Sequence, residues 1–426
     1  MEKITRFIEE KMAPPLIRLS EMRYLQVVQR TFMTTMPILL FSSLLILIAA
    51  LPIPGWSNIV APISGKLWAG VNSSLGLLAV CISIVAGYFL GDYYKERGAK
   101  INPIATALIS FISFMMFFPM FNAEDGRLVI EATNFGSTGM FTSIFVSIFA
   151  VELYRFLINK NFTIKLPNGV PPMVLDAFTA LIPSIVVMLT SWIISHVLGL
   201  NMPVLINMLF EPLVNAGKGP IPQFFAFMLD RVLWFTGIHG SNVVGSVMSP
   251  IWTNMITENM EAFKAGAQII PNLFTTEWCG YFVRISVFPI ALLAALSKTK
   301  RYRTLGRLSL PATIFNIAEP VMFGLPIVLN PILFIPWVFG FAFLWVWTYI
   351  FTAVIPMIPA IITQVTWTVP APIGAFLGTG GSWFALLFSL GNYVILGLIF
   401  YPFFKVLEKQ ELENELKEGV CADENN

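Results

Sequence analysis

The chain has 426 residues, of which 56% are hydrophobic and only 12% charged, with a formal net charge of +2. Soluble domains carry about 25% charged residues, so this sequence cannot coat a water-facing surface and reads as a polytopic membrane protein. The small net charge gives no case for nucleic-acid binding, two histidines exclude a multi-histidine metal centre, and three cysteines without a CxxC spacing support neither a disulfide framework nor a zinc site.

Residues 1–30 place apolar side chains at helical spacing among Lys3, Arg6, Lys11, Arg18, Arg23 and Arg30. That pattern predicts an amphipathic segment on the cytoplasmic membrane surface, with a solvated basic tail as the alternative. The run lacks the short apolar core and small-residue site of a cleavable signal. Spans are predicted at 31–52, 75–94, 103–121 and 140–158, because about 20 apolar residues cross a bilayer. Residues 56–72 are mixed and are expected at the interface. The basic stretches 95–100 and 155–165 are expected inside and the acidic stretch 122–137 outside. Residues 165–172 (KLPNGVPP) cannot be helical throughout and predict a linker. It would separate an N-terminal membrane half, 31–164, from a C-terminal half, 173–404.

The second half begins with a span at 176–198, where His196 is expected as a hydrogen-bonded packing residue. Residues 202–216 are amphipathic and suit the interface. Residues 222–238 are apolar but hold Asp230 and Arg231, and run into Gly237-Ile238-His239-Gly240. Residues 253–273 are polar and predict an exposed loop or short helix. Spans follow at 278–296, 331–355 and 382–404. The densest basic loop, 298–307, belongs inside. Residues 356–381 are too broken by Pro and Gly for a simple span, and 405–426 reads as a charged cytoplasmic tail. The fold predicted is all-α, with about ten transmembrane helices, two re-entrant hairpins and interfacial amphipathic helices.

Two stretches stand out chemically. Asn316-Ile317-Ala318-Glu319-Pro320-Val321-Met322-Phe323-Gly324-Leu325-Pro326 puts a carboxylate, an amide, a Gly and two Pro in an apolar chain. An ionisable group there points to a functional site, and broken backbone at membrane depth needs a cavity or protein around it. The stretch from Trp234 to Asn242, centred on His239, has the same character. Carboxylates and imidazoles suit the hydroxyl edges of a sugar, and indoles suit its faces. Asn242, Asn316, Gln364 and Thr366 are further hydroxyl-matching groups, and Trp234 and Trp367 are candidate stacking surfaces. The set suits a neutral polar solute. Structural roles are the competing reading: Glu319 paired with Arg231 or Arg284, His239 on a backbone carbonyl, and the tryptophans as interfacial anchors. No metal site and no cofactor are expected.

GIHG at 237–240 and NIAEPVMFGLP at 316–326 resemble the sugar-translocating membrane component, enzyme IIC, of the bacterial phosphoenolpyruvate-dependent phosphotransferase system, in its lactose, cellobiose and diacetylchitobiose branch. The second string is long and specific, and the resemblance extends to the linker and the chain length. It implies a homodimer in the bacterial plasma membrane, held by the N-terminal half, with both termini cytoplasmic. A β-linked disaccharide would lie between the two hairpins, touching His239, Gly240 and Glu319 and packing on Trp234 and Trp367. It also implies alternating access, and a cytoplasmic enzyme IIB that passes a phosphoryl group from its cysteine to the sugar 6-hydroxyl. The segment after 404 is too short for a fused IIB domain, so Cys421 is expected to be incidental, and Cys81 and Cys279 to be packing residues. A proton-coupled sugar transporter using Glu319 and His239 is the main rival. A lipid hydrolase lacks an HExxH or GxSxG motif, and a sugar sensor lacks room for an output module.

Overall fold

A computed structural model describes residues 18, 21–49, 55–164, 172–325, 327–328 and 330–423. The predicted surface segment up to residue 17, most of the linker, and Pro326 lie outside these residues, as does the side chain of Cys421.

Among the described residues the regular elements are helices, except for one two-residue hairpin, β1 (Phe121–Asn122) and β2 (Leu128–Val129). Seven segments among the described residues are long and apolar enough to cross a bilayer. The first half holds α1 (Arg23–Ala49), α2 (Trp56–Ser74), α3 (Leu78–Lys95), α4 (Pro103–Met115) and α5 (Met140–Asn159). The stretch expected at the interface is helix α2, which a single 3₁₀ turn, Leu75–Leu77, joins to α3 in one 40-residue helical run. Helix α4 ends earlier than predicted. Asn102 caps it, accepting from the Ile104 amide at 2.9 Å, and Pro103 fills the first position, where no amide donor is needed.

Helices α3 and α4 pack at close range because Gly87 and Gly91 leave no side chain between them; a Cβ at Gly91 would lie 2.1 Å from Thr106 Oγ1. At one end of this half, Glu152 of α5 accepts from the hydroxyls of Tyr24 and Tyr94 and pairs with Arg155 at 2.9 Å. The basic ends of α1, α3 and α5 are therefore together, as the charge pattern predicts.

The second half runs α6 (Pro172–Trp192), α7 (Met202–Gly217), α8 (Pro220–Phe235), α9 (Gly240–Lys264), α10 (Phe288–Ala295), α11 (Lys300–Ile314), α12 (Glu319–Gly324), α13 (Pro331–Val354), α14 (Ala371–Gly378) and α15 (Trp383–Asp423). His196 sits in a wide turn after α6, exposed and stacked on Trp192 at 6.1 Å, with no hydrogen bond among the described residues. The hydrogen-bonded packing role expected of it is not seen among the described residues.

The stretch 253–264 corrects a second expectation. It is the latter half of α9, and Asn254, Met255, Ile256, Thr257, Asn259 and Met260 are buried. Its polar residues have internal partners. Asn259 donates to the carbonyls of Asn272 and Ile361 at 2.7 and 2.8 Å, and Glu258 pairs with Lys218 at 2.8 Å.

Three polar contacts tie α9 and the broken stretch to the first half. Glu261 accepts from the amide and hydroxyl of Ser137. The Gln364 amide donates to Ser43 Oγ at 3.0 Å, and Gln29 reaches the Asn242 carbonyl at 3.5 Å. Beyond the last span, α15 continues as helix and returns to α11. Glu408 accepts from Ser297, Glu411 pairs with Arg301 at 3.1 Å, and Glu415 accepts from the amides of Lys300 and Arg301 at the start of α11.

Candidate functional site

The two chemically distinctive stretches fold into the same local shape. Helix α8 ends with Gly237 at φ 83°, where Gly237 N–H donates to Trp234 O and Ile238 N–H to Leu233 O. Helix α11 ends with Asn316 at φ 63°, where Asn316 N–H donates to Thr313 O and Ile317 N–H to Ala312 O. Each is a Schellman cap, which needs a left-handed residue and so selects Gly or Asn. The chain then restarts as helix at once, at Gly240 and at Glu319. A polar side chain is thereby delivered at each tip: His239 on the first turn and Glu319 on the second. The first turn packs on the chain that follows α12, since a Cβ at Gly237 would lie 3.3 Å from Val328 Cγ1, and Phe235 packs on Phe334 at 4.8 Å.

His239 caps α9. Its Nδ1 accepts from the Asn242 amide at 3.2 Å. An accepting Nδ1 in a neutral ring puts the proton on Nε2, so an N–H donor is left facing outward. The ring is exposed on one side and rests on Trp234 at 4.4 Å on the other. Glu319 is exposed, and among the described residues its carboxylate has no hydrogen-bonding or ionic partner. The structural role considered for it, pairing with Arg231, is ruled out by geometry. Arg231 is buried and bound to Asp230 at 2.6 Å, with Phe227, Trp337 and Phe341 around its guanidinium. Asp230 in turn accepts from Ser241 at 2.7 Å, which fixes the start of α9 against α8.

The remaining candidates separate into two groups. Trp367 is 57% exposed and free to present its face. Asn242 is exposed on the first turn of α9. Thr366 is half-buried, 3.4 Å from Thr368 Oγ1. The others are held by the protein. Trp234 is only 7% exposed, and its ring supports His239 instead of lying open as a stacking face. Gly240 is the close-approach point of the hairpin, where a Cβ would meet the Asp230 carbonyl at 2.2 Å. Asn316 donates to the carbonyls of Trp367 and Val369 at 2.6 and 2.8 Å, clamping the broken stretch beside the Glu319 turn. Gln364 donates to Glu277 at 3.3 Å.

Sequence reasoning missed Glu277 and left Arg284 only as a possible partner for Glu319. Glu277 is 7% exposed, and its Oε2 is buried without a donor, as are Gln364 Oε1 and Asn316 Oδ1. Arg284 is half-buried and lines a cleft with Gln223, Asp230, Ser241 and Trp252. The available signal was their spacing: positions 277 and 284 lie two helical turns apart, hence on one face of an apolar segment. Buried acceptors without donors suit a hydroxyl-rich ligand or water better than an apolar one. Among the described residues no group of His, Cys, Asp and Glu could hold a metal ion.

Known proteins resemble this chain over nearly its whole length. Residues 29–340 match the family model described as Phosphotransferase system, EIIC. The cellobiose-specific EIIC component of Geobacillus stearothermophilus is 31% identical over 443 residues, covering 97% of this chain and 96% of that one. The oligo-beta-mannoside-specific EIIC component of Bacillus subtilis is 30% identical over 438 residues, covering 98% and 96%. The lactose-specific EIICB component of Staphylococcus aureus is 31% identical over 447 residues, covering 99% of this chain and 77% of that one. Among solved structures, the transporter ChbC, the IIC component from the N,N'-diacetylchitobiose-specific phosphotransferase system, superimposes with a TM-score of 0.86. It is 31% identical, covering 96% of this chain and 99% of that one.

Proposed function

The chain belongs to the EIIC family of the phosphotransferase system, and from that premise we propose that it moves a β-linked disaccharide across the bacterial plasma membrane while the sugar is phosphorylated on its 6-hydroxyl. The related proteins named for cellobiose, lactose, oligo-beta-mannosides and diacetylchitobiose support that substrate class. The observation that carries the reading is the pair of matched turns, one presenting an uncommitted carboxylate and the other an imidazole N–H, in a chain poor in charge.

Phosphoryl transfer asks the protein mainly for position and charge. A cysteine-bound phosphoryl group on enzyme IIB is the donor. The sulfur–phosphorus bond breaks, an oxygen–phosphorus bond forms to the sugar 6-oxygen, and the thiolate leaves with the electron pair. Glu319 orients the hydroxyl, accepts its proton and releases it to solvent. His239 Nε2–H donates to a neighbouring sugar oxygen. Trp367 offers its exposed face to a pyranose ring, and Asn242 and Thr366 its hydroxyl partners. Trp234, Gly240, Asn316 and Gln364 act one step back, holding the two turns and the broken stretch in register.

The same reading places the basic ends of α1, α3 and α5 and both termini in the cytoplasm, and makes a homodimer through the first half. The sugar then crosses by movement of the second half against the first.

Membranes containing the chain test this directly. They are supplied with phosphoenolpyruvate, the general phosphotransferase proteins and a cellobiose-type enzyme IIB, with labelled cellobiose, lactose and diacetylchitobiose in parallel. Sugar phosphate from one substrate is the expected product. Accumulation of unmodified sugar without any sugar phosphate would overturn the reading and make Glu319 and His239 a proton path.

A further inference from the structure

The tip of the first hairpin borders a second space, which shares Asn242 with the proposed sugar site. A cavity of about 240 Å³ lies between the start of α1 and the first turn of α9, lined by Glu21, Gln26, Gln29, Arg30, Asn242 and Val243. Arg30 is exposed to it and has no ionic or hydrogen-bonding partner among the described residues. The floor is continuous with the site. Gln29 reaches the Asn242 carbonyl at 3.5 Å, and the amide of the same residue donates to His239 Nδ1 at 3.2 Å. One helical turn, about 5 Å, separates Asn242 from His239.

Resting on the function proposed above, we infer that this cavity is the entry port for the phosphoryl donor, and that Arg30 is a positioning residue that binds the phosphoryl group of phosphocysteine on its way to the sugar. The chemistry matches. A phosphoryl group carries close to two negative charges, and a guanidinium is the side chain best shaped to grip its oxygens bidentately. The side-chain amides of Gln26 and Gln29 add neutral donors on the same helix face.

The two charges in the lining are ordered. Glu21 lies before the start of α1, while Arg30 lies two turns inside it, about 10 Å further along the axis. A dianion is repelled near Glu21 and attracted near Arg30, further along α1.

The test uses the full chain in proteoliposomes and a cellobiose-type enzyme IIB in phosphorylated and unphosphorylated forms. Arg30→Gln is expected to lower kcat/KM for phospho-IIB at least tenfold and to flatten its salt dependence. Affinity for unphosphorylated IIB and for the disaccharide should stay at the wild-type level, which also shows that the variant folds. Arg30→Lys should recover part of the rate, and Glu21→Gln should raise it. Equal loss toward both forms of IIB would reduce Arg30 to a docking or folding residue, and a slower Glu21→Gln would contradict the ordering of charges; either result overturns the inference. Wild-type membranes that make no sugar phosphate would instead overturn the function on which it rests.

Discussion

Replacing Asn316 separates a structural clamp from a sugar contact. The side chain makes two short hydrogen bonds, to Trp367 O and Val369 O, from a backbone held at φ 63°. Asn316→Gly keeps the left-handed turn and removes both bonds. At about 1 kcal/mol net per neutral hydrogen bond, the broken stretch should loosen by about 2 kcal/mol, roughly 30-fold in its opening equilibrium. Asn316→Ala loses the same bonds and, unlike glycine, keeps a Cβ without the amide that eases left-handed geometry, at a cost of about 1–2 kcal/mol. The loosening should therefore rank alanine above glycine above wild type. The assay is hydrogen exchange read by mass spectrometry on the peptide covering residues 362–370. Its Val369 amide, bonded to Thr366 O, lies between the clamped carbonyls. Unchanged exchange in Asn316→Gly would refute the clamp, and alanine no worse than glycine would refute the strain argument. Disaccharide binding should weaken in step with exchange, because Trp367 moves with the stretch.

Three further outcomes follow from the site. Glu319→Gln should cut sugar phosphorylation by at least about 100-fold while equilibrium binding of the disaccharide persists, since a carboxamide still meets hydroxyls but cannot take a proton; comparable loss of binding would count against the base role. Asp230→Asn should destabilise the solubilised protein by about 3–5 kcal/mol by stranding buried Arg231, and Arg231→Met added to it should restore much of the loss, both read from thermal inactivation half-lives. Gly240→Ala should cost about 1–3 kcal/mol or abolish folded yield, because its Cβ meets the Asp230 carbonyl at 2.2 Å and backbone cannot step aside cheaply.

Local signals carried much of the fold. Apolar length located the spans, and the alternation of Pro, Gly and Asn located the two turns, because a Schellman cap is written in a few adjacent residues. The positions of Glu319 and His239 on these turns were legible for the same reason: each is the polar residue that follows such a cap. What failed was whatever depends on distant partners. Residues 253–264 look like a polar loop until Asn259 is seen bonded to Asn272 and Ile361, and Glu258 to Lys218. Trp234 and Trp367 have the same side chain, yet one is buried beneath His239 and the other is open, a difference only tertiary packing decides. Asn316 was read only as a hydroxyl-matching group, and packing alone decides that its Nδ2 goes to two backbone carbonyls while its Oδ1 is left without a donor. Glu277 was lost because it stands beside the start of an apolar span, where a charge usually faces water.

The return of the last helix has a mechanical consequence. Helix α15 is 41 residues long, about 60 Å end to end, and Glu415 near its far end holds the first amides of α11. Helix α11 in turn ends at the Asn316 turn that presents Glu319. The three pieces form a strut and lever: a pull or twist on the chain beyond Glu411 is felt as torque on the turn that carries the carboxylate. A partner that grips this tail therefore has a handle on the site without touching it.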